Sequence, residues 1–215
     1  MKKNILTFAA FFITLMAFSS TPNDSRAILD RAFAAYKASN GISLHFTVTI
    51  TEANGTAHQA QSGEAKIRGD RFRLIMDDFD IWFDGTTQWM LIKSFDEVNI
   101  STPTSDEIAS ISPLALLGMY QSGFSLNPPV SKTVNGRGAF VIEMLPVAGN
   151  NEFREVSVTI DKQTNTIVQV NLTLRNGMKN RIDITNYNAN HNFPDSYFVF
   201  NVSEHPDIEI VDLRF

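Results

Sequence analysis

Hydrophobic and polar residues alternate with a period of two along most of the chain after residue 41. Between residues 44 and 50 the apolar positions are Leu44, Phe46, Val48 and Ile50. This period is typical of a strand with one buried face. From residue 63 to residue 101, however, large apolar side chains occupy both faces of the predicted strands. A sheet with one solvated face alternates cleanly, so we expect protein or lipid to cover the second face.

Three helices are predicted beside these strands. Residues 24–40 form the longest, because apolar residues recur at helical spacing at Leu29, Ala32, Phe33 and Tyr36. Thr104 and Glu107 have the spacing of a capping box, which predicts a short helix after residue 103. Another short helix, from Ser112 to Tyr120, is apolar on almost every side, and such a helix is covered on more than one side.

The remaining pattern predicts many short strands with tight turns. Turn pairs such as Asn54–Gly55 and Asn135–Gly136 separate them. Later strands are predicted at residues 140–144, 156–160, 168–174, 182–187, 197–200 and 208–211. Regular short strands of this kind favour an antiparallel meander in a barrel or a strongly curved sheet. We therefore predict one mainly β domain, with some α-helix, over residues 21–215.

The first twenty residues have the pattern of an export signal. Lys2 and Lys3 precede an apolar stretch from Ile5 to Phe18, and small residues follow at Ser19 and Ser20. This arrangement is typical of a secretory signal peptide. The sequence contains no cysteine, which excludes disulfides, thiolate metal sites and a cysteine-attached lipid anchor. We expect the mature chain to be a soluble protein of the periplasm.

Composition and charge exclude several classes of function. The formal net charge is −5 and no run of Lys or Arg is present, so nucleic acid is not expected as a partner. The four histidines are scattered along the chain, without the spacing of metal ligands. Asp77 and Asp80 lie close in sequence, but they lack the twelve-residue loop of a calcium site. We expect no metal, no cofactor and no enzymatic activity.

The stretch from Gly63 to Ser101 resembles the lipoprotein carrier LolA of Gram-negative bacteria. The shared features are a Gly-led strand that ends in Arg68, Phe72 at the start of the next strand, and Asp84–Gly85–Thr86 before Trp89. The resemblance implies an incomplete antiparallel β-barrel, a half-barrel whose apolar cavity is covered by an N-terminal helix and short lid helices. It also implies a monomeric carrier that shields the acyl chains of lipoproteins. Its partners would be an inner-membrane ABC transporter and an outer-membrane acceptor.

Several residues are candidates for the ligand-binding site. The resemblance implies that Arg68 holds the lid shut by hydrogen bonds, with Arg71 and Arg73 as alternatives. We expect large apolar residues of the central strands to line the cavity, namely Phe72, Leu74, Met76, Ile81, Phe83, Trp89 and Leu91. The lid would contribute Leu114, Leu117, Met119 and Tyr120. Trp82 and Met90 fall on the opposite strand faces and would meet the first helix through Phe33 and Tyr36.

Other interpretations stay open at the level of sequence. The cavity residues would equally fill a conventional solid core, since burial is the ordinary fate of such side chains. A protein of the same architecture would also suit another lipid or hydrophobic ligand, or serve as a sensor module of envelope stress. The three alternatives differ in whether a cavity exists and in what occupies it.

Overall fold

The computed structural model describes residues 21–112, 120–121, 123–147 and 152–214. They contain two α-helices, α1 (Pro22–Lys37) and α2 (Ser105–Ile111). The first six strands are β1 (Ile42–Thr51), β2 (Gln61–Arg68), β3 (Arg71–Met76), β4 (Phe79–Phe83), β5 (Gln88–Ile92) and β6 (Glu97–Ser101). The later strands are β7 (Phe124–Leu126), β8 (Val130–Val134), β9 (Arg137–Pro146), β10 (Phe153–Asp161), β11 (Ile167–Leu174), β12 (Lys179–Asn188) and β13 (Glu209–Asp212).

All thirteen strands belong to one sheet. Its order is β13-β6-β5-β4-β3-β2-β1-β12-β11-β10-β9-β7, and β8 pairs with β9 beside β7. Neighbouring strands are antiparallel except β13, which runs parallel to β6. In the described part of the chain the two ends of this order do not pair with each other, so the sheet stays open. The prediction of an incomplete antiparallel barrel with a meander connectivity is confirmed.

The hairpin turns follow from local residue chemistry. The β8–β9 hairpin pairs Val134 with Arg137, which leaves Asn135 and Gly136 as its two turn residues. Both have positive φ, 50° and 76°. A two-residue hairpin turn of this kind needs left-handed backbone at both positions, and Asn and Gly adopt it most readily.

The larger of two buried clusters in the described residues lies on one face of the sheet, which we call the inner face. Its members come from both halves of the strand order, for example Ile81 in β4 and Ile142 in β9. These side chains belong to one continuous cluster that extends across the strand order. Helix α1 packs on the same side, with Leu29 and Ala32 buried and Phe33 and Tyr36 partly buried against the core.

The caps of both helices explain where they begin. Thr21 caps α1 in a capping box with Asp24, so the helix begins at Pro22, two residues before its predicted start. At α2 the Thr104 side chain accepts a hydrogen bond from the Glu107 N–H, and the Glu107 carboxylate accepts one from the Thr104 N–H in return. The predicted capping box at Thr104 is therefore confirmed.

The opposite face, which we call the outer face, is covered by the C-terminal segment. Trp82, Leu91, Val98 and Phe200 form a second buried cluster there. The Trp82 and Phe200 rings meet edge to face with centroids 5.2 Å apart. The expectation that Trp82 would contact α1 is wrong, because Trp82 faces away from that helix. We call residues 193–208, which lie across this face, the strap.

The strap is not a strand where the sequence predicts one. Residues 197–200 are predicted to be extended, but Asp195–Phe198 forms a 3-10 helix that begins after Pro194. The Tyr197 N–H donates to the Pro194 carbonyl at 3.1 Å. This tight turn buries the Phe198 side chain completely. The apolar residues of this stretch therefore pack against the sheet from outside and do not extend it.

Arg68 holds the strap by polar contacts. Its guanidinium donates to the Phe193 carbonyl and pairs with the Asp195 carboxylate. The Arg71 Nη1 lies 2.9 Å from the same Asp195 Oδ1. The resemblance implied instead that Arg68 clasps lid helices over the cavity. Strand alternation explains the difference, because Ile67 and Phe72 face inward and Arg68 and Arg71 therefore face outward.

Arg73, the third candidate for the clasp, also lies on the outer face. Its guanidinium lies 4.5 Å from the Trp82 ring centroid and 5.3 Å from that of Tyr197. A guanidinium held between two aromatic rings gains cation–π attraction on both sides. All three arginines thus join the sheet to the strap.

Replacing Arg68 by Ala tests this assignment of the arginine. Removing an ion pair of this kind weakens the strap by about 1 kcal/mol, which corresponds to about fivefold faster local opening. We expect the amides of Tyr197 and Val199 to exchange several-fold faster in hydrogen-exchange mass spectrometry, while those of α2 keep their rate. Arg181→Ala, which removes an ion pair to Asp183 elsewhere on the sheet, is the matched control. Faster exchange in α2 with an unchanged strap would contradict the assignment.

Candidate functional site

An apolar cavity of about 330 Å³ lies on the inner face of the sheet. Inward-facing residues of β1 to β5 and β12 form its walls, and the end of α2 closes one part of it. The lining residues are Leu44, Phe46, Val48, Ile50, Gln61, Ala65, Ile67, Leu74, Met76, Phe79, Ile81, Met90, Ile111, Ser112, Asn180, Ile182 and Ile184. A volume near 300 Å³ is at the lower end of the range of ligand pockets.

The strand register gives the cavity two different ends. At one end Leu44 pairs with Ala65 and Ile67 with Phe72, close to α1 and α2. At the other end Val48 pairs with Gln61 and Ile50 with Asn180. Gln61 is exposed, so this second end reaches solvent. We call these the helix end and the Asn180 end.

The chemistry of the lining is almost entirely apolar. Its polar members are Gln61, Ser112 and Asn180, and none of the described lining residues carries a charge. An ionised group without a partner is very unfavourable in such surroundings. The cavity therefore suits a neutral, apolar group.

A second cavity of about 480 Å³ lies at the helix end. It shares Ile67 and Ser112 with the first, and Phe33, Phe72 and Phe83 line it as well. Tyr36 closes part of its wall by donating a hydrogen bond to the Gly69 carbonyl. Burial, together with the nearby Asp70 carboxylate, raises the pKa of Tyr36 to about 12. The Tyr36 hydroxyl therefore remains a neutral donor at physiological pH.

Gly63, a residue of β2, leaves space for two large side chains of the cavity wall. A Cβ atom at this position would overlap the Met76 Sδ and lie 2.6 Å from the Phe46 Cζ. Both side chains thus pack directly over the glycine backbone. Any side chain at position 63 would push them toward the cavity.

Five of the predicted cavity residues line one or the other of the two cavities. Leu74, Met76 and Ile81 line the main cavity, and Phe72 and Phe83 line the second one. The Phe72 and Phe83 rings contact each other with centroids 5.1 Å apart.

Trp89 and Leu91 were placed in the cavity by the sequence prediction, and the structure corrects both. They lie on the outer face, where Leu91 is buried with Trp82 and Trp89 packs against the same cluster. Met90 lines the cavity in their place. The register is the reason, because Ile81 pairs with Met90 and Trp82 pairs with Trp89. A shift of one residue moves every side chain of a strand to the other face.

The predicted lid residues are only partly described. Leu114, Leu117 and Met119 lie outside the described residues. Tyr120 is completely buried, and its hydroxyl donates to the Asp30 carboxylate on α1. Burial and this hydrogen bond raise the pKa of Tyr120. Its ring meets Phe33 edge to face at 6.3 Å, so Tyr120 packs against α1 and is not among the lining residues of either cavity.

Sequence reasoning missed the cavity wall formed by β1 and β12. Phe46, Val48 and Ile50 were recognised as one apolar strand face, but they were not assigned to the cavity. Ile182 and Ile184 complete this wall because β12 pairs with β1. The alternation of apolar and polar residues in β1 indicates a buried face. The sequence does not indicate that β1 pairs with β12, because the two strands are distant in sequence.

The rest of the described chain offers no sign of metal or membrane-spanning chemistry. Among the described residues no group of three or more His, Asp or Glu side chains has the geometry to hold a metal ion. Within the same parts of the chain, no helix has the length and apolar character needed to cross a bilayer.

Several solved structures are similar to this chain in fold. An uncharacterised conserved protein from Thermus thermophilus has a TM-score of 0.59 at 11% identity, covering 88% of this chain and 99% of its own. A DUF1329 family protein from Desulfovibrio piger has a TM-score of 0.53 at 12% identity, covering 87% of this chain and 100% of its own. A LolA superfamily protein from Nitrosomonas europaea has a TM-score of 0.46 at 8% identity, covering 85% of this chain and 99% of its own.

The family of this chain follows from a match of its sequence. No curated protein matches the sequence. The family model described as outer membrane lipoprotein carrier protein LolA matches residues 15–177. Because this match spans well over half of the sequence, the chain belongs to the LolA family.

Proposed function

We propose that this protein is a periplasmic carrier of lipoproteins. It binds the acyl chains of its cargo in the inner-face cavity and shuttles them from an inner-membrane ABC transporter to an outer-membrane acceptor. The observation that carries the proposal is the uncharged apolar cavity inside an open sheet, in a chain whose family is described as outer membrane lipoprotein carriers. Export by a signal in residues 1–20, followed by a single carrier domain, belongs to the same proposal.

The size and lining of the cavity support acyl binding on energetic grounds. Each methylene transferred from water to an apolar site contributes about 0.8 kcal/mol. Ten buried methylenes would therefore contribute about 8 kcal/mol, which corresponds to a dissociation constant of about 1 μM. A cavity of about 330 Å³ suits one acyl chain in the conformation described here. Further chains would need the second cavity at the helix end.

Release of the cargo requires that binding be strong but not excessive. A carrier that binds one chain with micromolar affinity passes it on readily when an acceptor binds the same chain more tightly. The carrier role therefore needs no catalytic group, and the apolar lining offers none.

The identity of the bound molecule tests this proposal directly. The protein should be isolated from its native host under mild conditions, and the material that co-purifies should be analysed by mass spectrometry. We expect acylated protein in the bound fraction. Recovery of free lipids alone would contradict the lipoprotein cargo and would favour a carrier for another hydrophobic ligand.

Filling the cavity should weaken ligand binding. Met90→Trp adds a large side chain to the cavity wall, and we expect at least a tenfold loss of affinity for the fluorescent probe N-phenyl-1-naphthylamine. The probe should be excited outside the tryptophan band. Val130→Trp, at a site that is 53% exposed on β8, is the matched control and should bind the probe normally. Equal binding by both variants would show that the probe binds elsewhere.

A side chain at position 63 should narrow the same cavity from its wall. Gly63→Ala forces Phe46 and Met76 toward the cavity, and overpacking of this kind costs about 1–3 kcal/mol of stability. We expect weaker probe binding together with a lower urea midpoint. Gly138→Ala is the control, because a Cβ there would lie 3.4 Å from the Lys162 Cδ, an ordinary contact. Unchanged binding and stability in Gly63→Ala would contradict the close packing over this glycine.

A further inference from the structure

The Asn180 end of the cavity contains a polar atom that the fold leaves without a partner. Among the described residues, the Asn180 Oδ1 is buried and accepts no hydrogen bond. The same residue lines the cavity, and a rotation of its terminal amide would present this oxygen to a ligand there. Buried polar groups in folded proteins nearly always have a partner, so each exception requires a physical explanation.

The surroundings of Asn180 make its amide unfavourable in an empty cavity. Its neighbours across the sheet are Ile50 on β1 and Leu172 on β11. A leucine at this position would match these neighbours and would leave no polar atom unsatisfied. The asparagine therefore contributes nothing to the packing of this face that an apolar residue would not supply better.

The charges near this end cannot serve a ligand inside the cavity. Lys179 and Arg181 flank Asn180 on β12, and strand alternation directs both to the other face. The Arg181 Nε donates to the Asp183 Oδ2 at 2.8 Å, which occupies its guanidinium. None of the described residues that line the cavity is a cation, so a ligand at the Asn180 end meets an uncharged amide.

We propose that Asn180 is a specificity-determining residue that accepts a hydrogen bond from a neutral donor attached to the acyl chain. The donor is the N–H of an amide-linked chain or a hydroxyl next to an ester-linked chain. This inference rests on the proposed function and adds a substrate class to it. The acyl tail lies toward the helix end, and the polar linkage lies at the Asn180 end, where exposed Gln61 marks the opening to solvent.

The proposal predicts different affinities for ligands that share the same acyl chain. N-methylpalmitamide and monopalmitoylglycerol are neutral and carry a donor. Methyl palmitate is neutral but has no donor, whereas palmitate is ionised at neutral pH and meets no cation in the cavity. Affinities are measured by displacement of N-phenyl-1-naphthylamine. We expect the two donor ligands to bind about tenfold more tightly than the other two, and their relative affinities identify the preferred donor.

The variant Asn180→Leu tests the residue itself. It should lose about tenfold in affinity for the donor ligands and keep its affinity for methyl palmitate. Its urea midpoint should equal or exceed that of the wild type, because the variant removes an unsatisfied polar atom. Asn171→Leu is the matched control, since Asn171 is in the neighbouring strand β11 but bonds to Gln169 on the outer face.

Negative results would separate this inference from the proposed function. If the wild type displaces the probe equally well with methyl palmitate and with the donor ligands, and Asn180→Leu changes nothing, this inference is wrong and the carrier function stands. If Asn180→Leu unfolds at a lower urea concentration, the amide has a structural role and the inference is also wrong. If the wild type binds neither the probe nor any palmitoyl ligand, the proposed function itself fails.

Discussion

The sheet buries apolar residues on both of its faces, and the rest of the structure depends on how those faces are covered. On the inner face the side chains of β1 to β5 surround a cavity, with α1 and α2 at one end. On the outer face the strap packs Phe200 against Trp82 in a second cluster of buried side chains. The strands in this region therefore contribute side chains to two buried clusters, one around the inner-face cavity and one beneath the strap.

The sequence predicts the elements well because their signals are local. The helical spacing of Leu29 and Phe33, the Thr104 capping box and the Asn135–Gly136 turn each depend on residues within a few positions of one another. The faces of β5 were assigned wrongly, although the turn contained the necessary information. Phe83 pairs with Gln88, and four residues lie between them. Because the loop has an even number of residues, each odd-numbered residue of β4 pairs with an even-numbered residue of β5. Trp89 and Leu91 consequently share a face with Trp82.

The remaining features depend on contacts between distant parts of the chain. Nothing near Ile50 indicates that Asn180 will lie beside it, because the pairing of β1 with β12 joins the two ends of a long meander. The same limit applies to Arg68, whose partners Phe193 and Asp195 lie more than a hundred residues further along. A basic residue at a strand end predicts a polar contact, but only the complete topology shows that its partner is the strap.

The two faces together explain how a hollow protein remains folded. Side chains around a cavity of about 330 Å³ lack the packing contacts that a filled core would give them. Packing on the outer face supplies a compensating term that does not depend on the ligand, since the Trp82 cluster and the arginine contacts of the strap lie outside the cavity. The strap therefore stabilises the sheet independently of any ligand, and a ligand that fills the cavity adds further stability.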